Sequence, residues 1–246
     1  MLFDSFEEVF SSKERILMVF AHPDDMEINC GGVAARLCDA GKAVRLVSVT
    51  AGESGVRDAD VDQRRFRQRR IEAFEEAAQV LGISKSEVFC LNIDDGRVEN
   101  TIENIGLIVA HIRAFRPDIV ITHNPAGYLH TVDGSYYYIS HRDHRNTATL
   151  AIDAVYPYSR DWAFFPEHRD AGLDGHVVHE MLIGDVFEEK SARAFDISRY
   201  VQLKSEALRI HMVAGAMDEA EHESYSNEGK TEQGFFEILL WWRDIH

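Results

Sequence analysis

Apolar residues follow two rhythms along the first half of the chain, and the two alternate. The run RILMVF (15–20) is almost continuously apolar, the pattern of a parallel strand covered on both faces. In CGGVAARLCDAGK, which follows, Val33, Leu37 and Ala40 recur at helical spacing and Gly41 supplies a C-terminal stop. AVRLVSVT (43–50) returns to the strand pattern, and AGESG is a loop. From about Asp62 to Leu81, the positions Phe66, Ile71, Phe74, Ala77, Ala78 and Leu81 mark the apolar face of a long helix that Gly82 ends. EVFCLNI (87–93) reads as a strand, DDG as a turn, and 101–115 as a helix with Ile105, Ile108, Val109 and Ile112 inward. DIVITH (118–123) is a fourth strand, introduced by Pro117.

Such alternation predicts βαβ units, hence an α/β fold: a Rossmann-like, mostly parallel sheet with helices on both faces. The second half is less regular. NPAGYLHTVDGSYYYIS (124–140) reads as a long aromatic-rich loop, a length that in compact domains points to function. A helix is expected over 141–156, a late strand over 177–187, a helix over 198–212 and an acidic, polar connector over 218–234. FFEILLWW near the end reads as core or as a contact between subunits of a homo-oligomer. With no repeat, low-complexity tract or composition break, one domain is expected over 1–246.

Composition narrows the partners. Forty-two acids against 26 bases give a formal charge of −16 and a sequence pI near 5.1. Such a surface repels phosphate backbones and anionic lipid headgroups, so neither nucleic acid nor a membrane is an expected partner, and a small molecule is. Cys30, Cys38 and Cys90 are an odd number without metal-like spacing and read as reduced thiols. The start, MLFDSFEEVFSSKER, lacks the basic and apolar regions of a signal peptide, and no stretch reaches the roughly 20 apolar residues of a membrane span. A cytoplasmic location is the expectation.

Two polar clusters interrupt this pattern. AHPDDME (21–27) places a histidine and three acids at the carboxyl end of the first strand, where open α/β sheets bind ligands. Carboxylates there are costly unless a cation compensates them. His22 and Asp25 are three residues apart, which in a tight turn puts both on one side. HRDH (141–144) follows the fourth strand and again spaces two histidines by three. Parallel topology brings both clusters to one sheet edge, so two imidazoles and a carboxylate can converge with an open position for water, a common catalytic zinc set. Non-haem iron(II) oxygenases use the same set, but would not need Asp24 beside the ligands. Asp25 and Asn29 each have a simpler reading as a helix N-cap. A nucleotide-binding role lacks its glycine-rich loop, for which CGG is a poor substitute.

AHPDDME resembles the AHPDD-x-E signature of the LmbE-like (PIG-L) family, zinc-dependent N-deacetylases of N-acetylglucosamine conjugates. TAGESG (50–55), RPDIVITHNP and HRDH are similar to later family elements, and FDIS with LKSEALRIH to its C-terminal segment with a helical lysine and histidine. The resemblance covers most of 15–212; Arg142 stands where the family has proline. It implies a hydrolase that removes an acetyl or other acyl group from the amide nitrogen of an N-acetylglucosamine-type sugar conjugate, with amidases on thiol conjugates among the relatives. It further implies zinc, or Fe2+ in the same ligands, bound by His22, Asp25 and His144, with Asp24 as general base. His141 is then placed to stabilise the oxyanion or protonate the leaving amine, and Asp143 to orient His141. Arg70, with Arg69 as an alternative, and Asp95 correspond to family positions that hold the substrate, although RRFRQRR (64–70) on its own reads as a solvated helix face and Asp95 as a turn residue before Gly96. Glu27 is expected behind the ligands, and His123, His130 and tyrosines 136–138 at the mouth of the site. Arg142 is expected to meet an acidic substrate group or a loop carboxylate such as Asp133.

Overall fold

The computed structural model describes residues 3–56, 59–126, 128–132, 136–184 and 192–245, without the side chains of 129–132 and 136–138. In chain order the elements are α1 (Phe6–Phe10), β1 (Arg15–Phe20), α2 (Asp25–Asp39), β2 (Ala43–Thr50), α3 (Gln63–Val80), β3 (Val88–Ile93), α4 (Ile102–Phe115) and β4 (Ile119–Thr122). There follow β5 (Leu129–Val132), β6 (Tyr136–Ile139), α5 (Arg142–Asp153), α6 (Glu167–Asp170), β7 (Glu180–Ile183) and β8 (Ala192–Asp196). The last are α7 (Val201–Val213), α8 (Glu219–Ser226), β9 (Lys230–Thr231) and β10 (Gly234–Trp242).

The main sheet has the order β3-β2-β1-β4-β7-β10-β8. β3, β2, β1, β4 and β7 run parallel, and β10 is antiparallel to both its neighbours. The expected α/β architecture is therefore the observed one, with an antiparallel strand inserted near one edge. β1 shows why its sequence alternates nothing: both faces are covered. Ile16, Met18 and Phe20 pack with Val33 and Leu37 of α2 and Phe74 and Ala78 of α3. Leu17 and Val19 pack on the opposite face with Ile105, Ile108 and Ile112 of α4 and with Leu150 of α5.

Local chemistry sets the helix ends. Asp62 caps α3 by accepting from the Arg64 and Arg65 amides, and Thr101 caps α4 by accepting from the Asn104 amide. Two expectations for the second half are corrected, the loop 124–140 and the connector 218–234, while the core reading of FFEILLWW holds. The segment 124–140 contains the antiparallel β5–β6 hairpin. The connector 218–234 contains α8, started by a capping box in which Asp218 and Glu221 satisfy each other's amides. FFEILLWW is an inner strand of the sheet, which accounts for its apolar content, although Trp242 remains partly exposed.

His111 of α4 packs its ring against Phe89 at 4.8 Å. Burial, reinforced by the Arg45 charge and opposed by Glu87, lowers its pKa from 6.5 to about 4. Between those values the unfolded chain binds a proton that the folded chain refuses, so stability falls as pH drops from 6.5 towards 4. The gap sets a ceiling of about 3 kcal/mol on this loss. Urea unfolding of His111→Gln across that range should give a flatter acid limb than wild type; parallel curves would remove His111 as the cause.

Candidate metal centre and active site

The carboxyl ends of β1, β2, β3 and β4 open onto one edge, and each contributes a polar residue beyond its last strand position. After β1 the chain turns through HPDD into α2. The Asp25 Oδ2 accepts from the His22 amide at 2.7 Å, which folds the turn back on itself. Asp24 occupies the N-cap of α2 but makes no cap bond, because its carboxylate is turned to Arg70. Asn29 donates to the Asp25 carbonyl instead of capping.

His22, Asp25 and His144 meet. The His22 Nδ1 lies 3.1 Å from Asp25 Oδ2 and 3.2 Å from His144 Nε2, and His144 Nε2 lies 3.2 Å from Asp25 Oδ1. Ligand atoms on a tetrahedral zinc bonded at about 2.0–2.1 Å stand roughly 3.3 Å apart; the two histidine nitrogens have that spacing, and each lies as close to one of the two oxygens of the Asp25 carboxylate. The remaining nitrogen of His22, Nε2, faces Asp95 Oδ1 at 3.2 Å and Asp143 Oδ2 at 3.8 Å, the carboxylate support usual for a ligating imidazole. Burial works to lower the His22 pKa, but the Asp25 charge, the nearby Asp143 carboxylate and the close contacts with Asp25 and Asp95 hold it well above 6.5. Asp25 is held well below the usual carboxylate range: burial opposes this, and the His144, His22 and His123 charges overcome it. Such a donor set has high affinity for positive charge, whether a proton or a metal.

His123 is the residue whose closeness the sequence did not reveal. Fully buried beyond β4, it stacks on His144 with centroids 4.1 Å apart, and its Nε2 lies 3.1 Å from Asp25 Oδ2. It belongs behind the site rather than at its mouth. Asp25, His123 and His144 thus form a second metal-compatible group, as do His22, His141 and His144. The His123 Nε2 also meets the Ala21 amide at 3.1 Å, which engages the lone pair a metal would need.

Asp24 and Arg70 form a two-point pair, Nη2 to Oδ1 at 3.0 Å and Nη1 to Oδ2 at 3.3 Å. Burial would raise the Asp24 pKa, but the Arg70 charge first, and His211 after it, lowers it. Arg70 is only 4% exposed. Gly52, at φ +65°, makes room for it: a Cβ there would sit 2.5 Å from the guanidinium. Behind the turn, fully buried Glu27 lies 3.4 Å from fully buried His211 of α7.

His141 caps α5, its Nδ1 accepting from the Asp143 amide at 3.2 Å. In the neutral ring the hydrogen is therefore on Nε2. Burial, then the His22 and His144 charges, lowers the His141 pKa. The Asp143 carboxylate does not reach His141 as expected: its Oδ2 accepts from the Gly96 amide at 2.6 Å and faces His22. Asp95 is likewise committed, to His22 and to the Ser54 amide. Arg142 donates to the Gly96 carbonyl and pairs with Glu99, both at the exposed rim. Asp133 lies outside the described residues, as do the side chains of His130 and tyrosines 136–138.

A cleft of about 910 Å³ opens over the histidines and Asp24, within the range of small-molecule sites. Its far wall comes from α8 and the segment before it, including Met217, Ser224 and Tyr225. Tyr225 has its pKa pushed up to about 12 by burial and by the Glu221, Asp24, Glu228 and Asp25 charges, so the cleft is acidic on both sides.

The family model for PIG-L, described as GlcNAc-PI de-N-acetylase, matches residues 17–155. A diacetylchitobiose deacetylase of Thermococcus kodakarensis is 31% identical over 208 residues, covering 83% of this chain and 71% of its own. A 1D-myo-inositol 2-acetamido-2-deoxy-alpha-D-glucopyranoside deacetylase of Mycobacteroides abscessus is 28% identical, with 80% of each chain covered. Among solved structures, an inhibitor complex of N,N'-diacetylchitobiose deacetylase from Pyrococcus horikoshii superposes with a TM-score of 0.83 at 24% identity, covering 97% of this chain and 87% of its own. The 4-carboxy-2-hydroxymuconate hydratase GalB of Pseudomonas putida shares the fold at a TM-score of 0.72 and 17% identity, covering 95% of this chain and 97% of its own. One fold thus carries different reactions, and the site has to decide between them.

Proposed function

The chain belongs to the PIG-L (LmbE-like) family, and from that premise we propose that it is a single-domain, metal-dependent N-deacetylase that hydrolyses the acetamide of an N-acetylglucosamine-type sugar or sugar conjugate. The observation that carries this reading is the donor triangle of His22, Asp25 and His144 with the Asp24–Arg70 pair beside it. His22 through Nδ1, His144 through Nε2 and the Asp25 carboxylate would hold zinc, for which Fe2+ can substitute. Bound there, the metal would supply Lewis-acid chemistry, bringing the pKa of a water towards neutrality and polarising the amide carbonyl.

The chain's own residues do the rest. Arg70 keeps Asp24 ionised, so its carboxylate can take a proton from the attacking water. As water oxygen adds to the carbonyl carbon, charge builds on the carbonyl oxygen, and the Nε2–H of His141 is its hydrogen-bond donor. When the C–N bond breaks, the proton held by Asp24 passes to the amine nitrogen, and acetate and a free amino sugar leave. Arg70 and Asp95 act mainly on protein groups, holding Asp24 and His22, although both also line the cleft. The three free cysteines support a reducing, cytoplasmic compartment, and no described helix is long and apolar enough to cross a membrane.

Acetate release should be measured on N,N'-diacetylchitobiose, an N-acetylglucosaminyl inositol, an O-acetylated sugar and an N-acetylated amino acid. Turnover of at least one N-acetylated sugar, well above the ester and the amino acid, is expected. Turnover of the amino acid alone would contradict the substrate class.

A further inference from the structure

The helix that carries Asp25 is broken. Cys30, in the middle of α2, has φ −152° and ψ 28°, so Asp25–Asn29 forms a short leading segment at an angle to the longer remainder. In an unbroken helix the Gly32 amide would pair with the Ile28 carbonyl. Here two side chains from distant parts of the chain reach these same groups. Lys204 of α7 donates from Nζ to the Ile28 carbonyl at 2.9 Å. Glu237 of β10 accepts from the Gly32 amide at 2.9 Å and from the Val33 amide at 2.7 Å. The two side chains then pair with each other, Nζ to Oε1 at 2.9 Å, and are 1% and 4% exposed.

The result is a continuous bridge from the Ile28 carbonyl through the ammonium and carboxylate to the Gly32 amide. A cation closes the end of one helical segment and an anion opens the next, as each helix dipole favours. The glycines of CGG admit this arrangement. A Cβ on Gly31 would lie 3.4 Å from Lys204 Cγ, and one on Gly32 would meet Ile197 at 2.6 Å. A five-residue helical segment has no stability of its own in water, so its direction must come from outside.

We propose that Lys204 and Glu237 are positioning residues of the metal centre: their ion pair splices the break in α2 and thereby aims Asp24 and Asp25. The inference rests on the reading of His22, Asp25 and His144 as metal ligands. A buried ion pair that merely stabilised the fold could be exchanged for apolar residues with little consequence. One that aims a ligand cannot be exchanged without loss of metal affinity.

The probe is cobalt(II), titrated into metal-free protein and followed by its visible absorption, with Tm recorded in parallel. The variants are Lys204→Met, Glu237→Gln and the double Lys204→Met/Glu237→Leu, with Lys204→Arg as the conservative replacement. Arg113→Met is the control, since Arg113 is also buried and bonded to the carbonyls of Tyr158, Ser159, Asp161 and Phe164, in a different part of the fold. The first three should bind cobalt about 10–100-fold more weakly, as changes in groups that support ligands do. Lys204→Arg should recover part of the affinity, and Arg113→Met should keep it at whatever Tm it has. Wild-type affinity in the three variants, or an equal loss in the control, overturns the proposal. Should the variants fail to fold, hydrogen exchange of the wild-type protein decides. The Gly32 and Val33 amides, freed by the break from ordinary helix bonding, should be protected for hours, and exchange within minutes would overturn the splice. Failure of wild type to bind cobalt at all would instead overturn the metal reading on which the inference stands.

Discussion

Replacing Asp24 with asparagine is expected to lower kcat by about 10²–10⁴ while the protein still binds one metal, the usual cost of losing a positioned general base. Asparagine keeps the size and one acceptor, so the Arg70 guanidinium retains a partner and the α2 turn its shape. What it loses is the ability to take a proton. The structure separates this loss from metal binding because Asp24 faces Arg70, whereas Asp25 faces the three histidines. Metal analysis and single-turnover acetate release on the same preparation test both halves. A variant with normal metal content and a near-wild-type rate would assign the proton transfer to another group.

His144→Ala is expected to lose most of its metal, by more than the roughly 10–100-fold that supporting residues cost, and its activity with it. His144 stands at one corner of the donor group from the first turn of α5, and alanine would leave two of the three proposed ligands. His123→Ala is the informative contrast. It removes the ring stacked on His144 and the neighbour of Asp25 Oδ2, but its nitrogen is already engaged by the Ala21 amide. Its metal affinity should fall less than that of His144→Ala. The reverse order would make His123 the ligand.

How much of this is legible in the sequence depends on what each element buries. β1 announces itself because a strand covered on both faces is apolar at nearly every position, and β2 is buried along most of its length and apolar at most positions. β8, ARAFD, is a short edge strand with too few apolar residues to stand out. α8 has no buried residue and is set by its capping box, whose Asp218 and Glu221 spacing was a usable signal. The convergence of histidines and a carboxylate was legible from residue types and spacings, yet which of the four neighbouring histidines approach Asp25 most closely was not, since that depends on which nitrogen faces Asp25. Arg70 was readable as buried: it falls on the same stripe as Phe66 and Phe74, four residues from each, and an arginine on an inward face needs an acidic partner. Lys204 shares the inward face of α7 with Ala207, Leu208 and His211 in the same way. In each case periodicity marked the burial, and only the tertiary fold supplied the partner.

Metal removal and return test the proposed centre most directly. Enzyme freed of metal by a chelator should release no acetate from a substrate that the untreated enzyme deacetylates. Zinc added back should restore the rate linearly, with a break at one equivalent per chain, in wild type but not in His144→Ala. Full turnover in the metal-free enzyme, or equal restoration of the His144→Ala variant, would contradict the assignment of His22, Asp25 and His144 as the metal centre of this deacetylase.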